Sequence, residues 1–526
     1  MEVTLIKTNV VLVTVIEAEV HTSLRTFLRN QPHLNWPHQL TMARLVARAL
    51  RLKRSALMQT GNASGYCFSY LTPALLFARP VIVVVPEKKQ KYLLSSAIPQ
   101  LKEWLDINTP VQTWNTLSSP SPQNNSGLIL ISPQDWLQAQ LSRSLPEGIP
   151  TIIDEADDLE EWAREQLTRR FTTCDWNQLL DDYPEKAEVI RDVRVELTTM
   201  LFHRPQNPYE CLLLNQPEQE ILEKLFTVLK EISPHHPFCK LFQQSQQDNQ
   251  LLWAEIQREQ GEFMIGCCPV SVTDILTPIW EKQALVLIGG FLDWEKEAPI
   301  YRQQLGLGEM TCLNFSRDRH QEGLNLYLPY GLPMPNTKEF QPSLFQHLRE
   351  LFVQETFQEG LIVILVSDVP LKRQLATDLA GEFGSRVQLE NTQLRDNGIL
   401  VCGWQFWREH QQGLSTPKLL VMTTIPLPSI ENPFVAGKVA YYKKKRQDWF
   451  RLYLLPTALR ELQRAVISLR ETQGVVALLD NRVHHRSYGK TVLSALEPYG
   501  RVSYRSLTGD SFSNYFYRSR RIKNDL

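Results

Sequence analysis

The sequence predicts an α/β protein of two domains on parallel sheets, with a mostly helical insertion in the first. Short, unbroken β-branched runs, helical patterns between them, and one long region without that rhythm predict it. The runs are Val81 to Val85, Leu128 to Ile131, Thr151 to Ile153 and Leu285 to Ile288, then Leu361 to Val366, Ile399 to Val401, Leu419 to Met422 and Val475 to Leu479. They are continuous rather than alternating, as strands buried on both faces of a parallel sheet must be. Between them, Met42, Leu45, Val46, Ala49 and Leu50 follow helical spacing, with Arg44, Arg48 and Arg51 off that face. Strand–helix alternation of this kind makes layered α/β domains.

The rhythm lapses between Trp176 and Trp253, where helical stretches such as Pro217 to Ile232, a Pro234–Pro237 turn and the Gln-rich 243–250 appear without a buried strand. Residues 176–253 are therefore expected as a helical insertion into a first domain of residues 31–175 and 254–328. The four prolines of 329–342 look like a hinge into a second domain, 329–526, and 1–30 reads as an extension.

Composition narrows the function. The chain has 526 residues, 43% apolar and 21% charged, an ordinary globular balance that excludes collagen, coiled coil and wholesale disorder. Fifty-six basic against 57 acidic side chains leave a net charge of -1, so nucleic-acid binding would rest on local patches. The eight cysteines are scattered, without zinc-ribbon spacing, which fits buried thiols in a reducing compartment. The uncharged apolar stretch from Thr8 to Ile16 is far below the ~20 residues of a membrane span. A cytoplasmic location and no membrane partner are expected.

Three segments carry candidate chemistry. Thr60-Gly61-Asn62-Ala63-Ser64-Gly65-Tyr66-Cys67 follows the apolar run Ala56 to Met58 and precedes a helical pattern, Phe68 to Phe77. A strand–loop–helix with glycines can hold phosphate on backbone N–H groups and a helix N-terminus. A working phosphate loop also needs Lys for the phosphates and Ser/Thr for Mg²⁺, where this chain has Tyr66 and Cys67. Roughly 90 residues on, Thr151-Ile152-Ile153-Asp154-Glu155-Ala156-Asp157 ends a strand in carboxylates. Asp154 suits Mg²⁺ and Glu155 suits activation of water, though acidic residues also favour the first turn of a following helix. Third, Lys443, Lys444, Lys445 and Arg446 precede Trp449 and Phe450, and the tail carries Tyr515, Phe516, Tyr517, Arg518, Arg520, Arg521 and Lys523. Cations beside rings suit single-stranded nucleic acid, while a bare charge run is more often a solvated face. The His235-His236 and His484-His485 pairs lack a partner set for metal.

In their order these segments resemble the DinG/XPD family of superfamily 2 DNA helicases. His38-Gln39 with Met42-Ala43 is similar to its Q-motif helix, Gln59 to Leu75 to its Walker A segment, and Asp154 to Asp157 reads D-E-A-D, like motif II. Val286 to Leu292 stands at the S-A-T motif, Phe406-Trp407 resembles motif V, Ile425-Pro426 and Asn432-Pro433 its later elements, and Gln463 to Arg470 motif VI. Gly474 to Val483 matches the strand that follows.

The resemblance implies two RecA-like domains with an arch-like insertion, ATP and Mg²⁺ as cofactors, and single-stranded DNA as partner. It implies a nucleotide site of Gln39, Gly61, Ser64, Gly65, Tyr66 and Cys67 facing motif VI across a cleft, and catalytic roles for Asp154, Glu155, Gln463 and Arg470. The chain departs from the pattern where charge matters. Tyr66 replaces the Walker lysine, Cys67 the metal-binding hydroxyl, Ala63 a glycine, and Gly289-Gly290-Phe291 the S-A-T. Val466-Ile467 replace the Gly-Arg pair that supplies an arginine finger, and Arg408-Glu409-His410-Gln411 replace E-G-x-D. No cysteine lies between Cys67 and Asp154, where the family's iron–sulfur domain takes four, so a cluster is not expected. Two readings follow: an ATP-driven helicase, or a helicase-shaped protein that holds nucleic acid or a protein partner without turnover.

Overall fold

The computed structural model describes residues 15–31, 34, 36–61, 65–114, 127–315, 323–354, 357, 359–472 and 474–503, with Glu471 as backbone only. Its strands, in chain order, are β1 (Ala56–Gln59), β2 (Val81–Val84), β3 (Val111–Trp114), β4 (Leu128–Ile131) and β5 (Thr151–Ile153). Next come β6 (Arg169–Phe171), β7 (Cys211–Leu213), β8 (Gln250–Gln257), β9 (Glu262–Pro269), β10 (Leu285–Gly289) and β11 (Thr311–Asn314). The last are β12 (Leu324–Tyr327), β13 (Ile362–Leu365), β14 (Val387–Leu389), β15 (Ile399–Cys402), β16 (Leu419–Met422), β17 (Val475–Leu478) and β18 (Tyr499–Val502).

The chain divides into two units, one of residues 1–167 and 271–317, the other of 168–270 and 318–526. The first carries a seven-stranded sheet in the order β11-β1-β10-β5-β2-β4-β3, with every pairing parallel. Its central strands are buried throughout: Ile82, Val83, Val84, Ile152, Ile153, Leu287 and Ile288 have no exposed surface. Three helices, α1 (Ile16–Arg29), α2 (Gln39–Leu52) and α3 (Cys67–Leu76), share one core cluster on this sheet. Val20, Leu24 and Phe27 of α1 belong to that core, so 16–29 is a working helix of the first unit rather than an extension. The expected helix over 68–77 is α3, shifted by one residue.

The second unit contains another seven-stranded parallel sheet, β14-β15-β13-β16-β17-β12-β18. β12 belongs to it, so the chain enters the second sheet before the prolines of 329–342 and not at them. That stretch follows β12 instead of acting as the hinge the sequence reading placed there.

The insertion also differs from expectation. Residues 168–270 contain the long helix Gln216–Ile232, as expected, but also a four-stranded antiparallel sheet, β6-β9-β8-β7. Gly261, at a positive φ of 69°, turns β8 into β9, and Trp253 lies across the strand pair on Gly266. A Cβ on Gly266 would come within 2.2 Å of that indole, so the position admits only glycine. The insertion packs on the helix Pro433–Lys444 of the same unit, where Trp253 meets Phe434 edge-to-face at 4.9 Å. A Cβ on Gly437 would stand 2.4 Å from Leu251, so the backbones approach closely.

Candidate nucleotide site

The loops after β1, β10, β5 and β2 leave four neighbouring strands at their C-terminal ends, where open parallel sheets place their ligand sites. After β1, Thr60 N and Gly61 N donate to the carbonyls of Gly289 and Gly290 at 2.8 and 2.9 Å. The loop is thereby stitched to the segment that replaces S-A-T. Gly61 and Gly65 take positive φ of 63° and 74°, which favours glycine. Ser64 lies outside the described residues. Gln39, fully buried at the start of α2, donates to the carbonyls of Leu34 and Gly65. Its side chain therefore braces the loop's exit.

Asp157, also within D-E-A-D, accepts from Gly290 N at 2.8 Å and Phe291 N at 2.7 Å. A Cβ on Gly289 would approach its Oδ2 to 2.5 Å, which accounts for glycine where the family has serine. Gln59 Oε1 likewise accepts from Leu292 N and Asp293 N, both at 3.0 Å. These side chains hold the loop after β10 in place by satisfying buried amides that would otherwise each cost about 1–3 kcal/mol.

Asp154 is the centre of the site and has no exposed surface. Its Oδ1 accepts from the Tyr66 hydroxyl at 2.7 Å and from Glu155 N at 2.9 Å. Oδ2 accepts from the Tyr70 hydroxyl at 2.7 Å and pairs with Lys89 Nζ at 2.8 Å. An ionised carboxylate offers roughly four lone-pair positions, and here each is taken. Lys89 comes from α4 (Glu87–Tyr92), the short helix after β2, and is equally saturated. Its ammonium reaches Asp154, the Tyr66 hydroxyl at 2.9 Å and Glu155 Oε1 at 3.3 Å.

The charge states follow. Burial works against the Lys89 ammonium, but Asp154, Tyr66 and Glu155 together carry its pKa well above the ordinary lysine value. Burial, then the charge of Asp154, pushes Tyr66 and Tyr70 well above the usual phenol range, so both remain donors. For Glu155, burial first and then the charge of Asp154 raise the pKa against the pull of Lys89. Glu155 also sits at a positive φ of 56°, a conformation that costs a non-glycine residue about 1–2 kcal/mol. Cys67 opens α3, where a helix N-terminus would favour thiolate, yet burial pushes its thiol up to about 12. A neutral thiol is a poor ligand for a hard cation.

These residues do not fit the Mg²⁺ that the family resemblance implies. Asp154 would have to give up a tyrosine or Lys89 to coordinate it, and Cys67 supplies no oxygen. Among the described residues no group of three or more His, Cys, Asp or Glu is placed to hold a metal. The structure thus brings together Asp154, Glu155, Tyr66 and Cys67, with Gly65 next to Tyr66 in the loop, and adds Tyr70 and Lys89, which sequence reading missed. Glu87-Lys88-Lys89-Gln90-Lys91 was visible after a predicted strand, but nothing local says which lysine turns inward.

The motif VI residues lie in the second unit and work on its interior. Gln463 Nε2 donates to Ala495 O, and Arg470 Nη2 to Leu496 O at 3.0 Å. Both are nearly buried and tie down the end of the helix Gly489–Leu496. Lys443, Lys444, Lys445 and Arg446 are exposed at the C-terminus of the helix Pro433–Lys444, where cations also complement the helix dipole. Asn432 caps that helix by accepting from Phe434 N at 2.9 Å. Lys443 stands over the Trp449 ring at 5.5 Å and Lys445 over Tyr441 at 4.4 Å. The tail residues Tyr515 to Lys523 lie outside the described residues.

Two seven-stranded parallel sheets, with a D-E-A-D sequence at the end of a central strand and a glycine loop beside it, form an α/β architecture of the kind found in helicases. The helicase C-terminal domain family matches residues 413–499. The ATP-dependent DNA helicase DinG of Photobacterium profundum is 24% identical over 269 residues, which cover 46% of this chain and 38% of that protein. The ATP-dependent DNA helicase YoaA of Escherichia coli is 28% identical over 253 residues, 45% of this chain and 39% of that protein. The matches thus span under half the length of these relatives. In fold, a solved XPD helicase superposes with a TM-score of 0.60 at 11% identity, covering 89% of this chain and all of that one. S. tokodaii Xpd4 also gives 0.60, at 13% identity, covering 89% of this chain and all of that one. In sequence and in fold the chain is thus similar to DinG/XPD-like helicases of superfamily 2.

Proposed function

We propose that this chain is a nucleic-acid-binding member of its family that hydrolyses ATP slowly or not at all. The observation that carries the reading is the saturation of Asp154: Tyr66, Tyr70, Lys89 and a backbone amide occupy the carboxylate that would hold the metal. Tyr66 and Ile467, where the resemblance implies a lysine and an arginine, remove cations that act mainly in the transition state. An arginine finger alone is worth about 10³ to 10⁵ in rate, or roughly 4–7 kcal/mol of barrier. Weak binding of adenine nucleotide survives such losses better than chemistry does, because the glycine loop and the N-terminus of α3 remain beside the site. Single-stranded DNA is the proposed ligand, bound through the Lys443–Arg446 segment and neighbouring rings without sequence preference.

ATP hydrolysis by the full chain, with and without single-stranded DNA, tests the reading. No DNA-stimulated turnover is expected. One observation favours the alternative of an active helicase: Lys89 places an ammonium beside Asp154 and Glu155, at the site that lacks a Walker lysine. Turnover at rates ordinary for a helicase, abolished by Lys89→Met, would establish that alternative.

A further inference from the structure

We infer that Lys89 is a resident counter-ion that takes the divalent cation's place on Asp154, so that the site is closed to metal while the ammonium is there and is a latent metal site without it. The inference deepens the reading above and rests on it for the location of the site.

Three observations carry it. The Lys89 ammonium has three protons and three acceptors: Asp154 Oδ2 at 2.8 Å, the Tyr66 hydroxyl at 2.9 Å and Glu155 Oε1 at 3.3 Å. It therefore bridges the first two carboxylates of D-E-A-D, Asp154 and Glu155, as a cation coordinated by them would. The aromatic replacement makes this possible. Tyr66 donates its proton to Asp154 Oδ1 and offers its oxygen to Lys89, so one hydroxyl serves both ions. Finally, Asp154 is wholly buried, and a buried carboxylate without a counter-charge is unfavourable enough that an internal cation will be retained against dilute metal. Removing the ammonium frees one lone pair on Asp154 and the facing oxygen of Glu155, a pair of hard oxygen donors suited to Mn²⁺ or Mg²⁺.

The test is Mn²⁺ titration of the full chain without nucleotide, followed by the free-Mn²⁺ paramagnetic resonance signal. This reads the cation lock alone, whereas turnover reads the proposed function, so the two can fail separately. The unmodified chain should bind Mn²⁺ no more tightly than Asp154→Asn does. Lys89→Met should gain one site at least tenfold tighter than that background, lost again in Lys89→Met with Asp154→Asn. Asp154-dependent binding by the unmodified chain, or no gain in a folded Lys89→Met, would overturn the inference. If Lys89→Met does not fold, amine acylation of the unmodified chain decides. Lys89 should react at least tenfold more slowly than its exposed neighbours Lys88 and Lys91, and equal rates would overturn the proposal.

Discussion

At the scale of single residues, the Asp154 cluster is an unusual concentration of buried polar groups, and its members differ in what they hold. Tyr70→Phe deletes one donor to a fully buried carboxylate and should cost about 1.5–3 kcal/mol, the usual range for a hydrogen bond to a charged group. Lys89→Met leaves Asp154 without its counter-ion and should cost more, about 3–5 kcal/mol. Hydrogen exchange separates this from global damage: amides of β5 and β10 should lose protection while those of β13 and β16 keep theirs. Unchanged protection in β5 would mean that the pair contributes nothing. The pH sign is definite. Because the folded Lys89 pKa is raised, its contribution is complete below the unfolded lysine value of about 10.4 and fades only as pH climbs through the higher folded value. Neutral-pH measurements therefore report it in full.

At the scale of elements, the insertion shows what sequence periodicity left hidden. β8 and β9 form an eight-residue antiparallel ladder around Gly261, but the Gln-rich approach to β8 falls in the stretch expected to be a mostly helical insertion. The signal was present: Trp253 and Ile256 before a Gln260-Gly261 turn, then Phe263 and Ile265, mark a hairpin. His236, weighed as a metal ligand, instead caps the helix Pro237–Ser245, its Nδ1 accepting from Phe238 N at 3.2 Å. Only the neutral ring can accept there. Burial lowers its pKa against the pull of Asp182 and Asp175, so the contribution is present above the unfolded value of about 6.5 and is lost as pH falls through the folded value. Protection in this helix should therefore weaken on acidification from pH 7 to pH 5, by about 1 kcal/mol, the value of a typical cap. His236→Asn, which caps without titrating, should flatten that dependence. On the helix Pro433–Lys444, neutralising Lys443, Lys444, Lys445 and Arg446 together should weaken single-stranded DNA binding. The same change should shallow the salt slope by up to about 0.7 for each phosphate that is no longer neutralised. An unchanged slope would assign the run to dipole complementarity and its own rings.

For the whole molecule, the decisive measurement is restoration of turnover. Tyr66→Lys, Cys67→Thr and Ile467→Arg belong together because such groups act as a unit. With Lys89 still on Asp154, the three should yield little, since the metal position stays blocked. Adding Lys89→Ala should raise DNA-stimulated ATP hydrolysis at least tenfold over the triple variant. Equal activity in the two would show that Lys89 does not obstruct the site. The net charge of -1 sets the accompanying expectation that binding to nucleic acid is moderate and salt-sensitive, since attraction is confined to patches.

Continuous apolar runs such as Leu128–Ile131 and Leu419–Met422 became strands with the bounds their sequences marked, because a strand buried on both faces leaves no polar alternation to misread. The glycines at 61 and 65 and the D-E-A-D run located the site for the same local reason: the chemistry lies within a few consecutive residues. The sequence by itself also put Tyr66 and Ile467 where the family resemblance implies a lysine and an arginine. Only tertiary structure decided what fills the gap. Lys89 is one of three lysines on a short helix, and its approach to Asp154 depends on β2 lying beside β5 in the sheet. Tyr66 and Tyr70 likewise meet one carboxylate only because α3 begins above the end of β5, a proximity that pairing and packing create across more than 80 residues of chain.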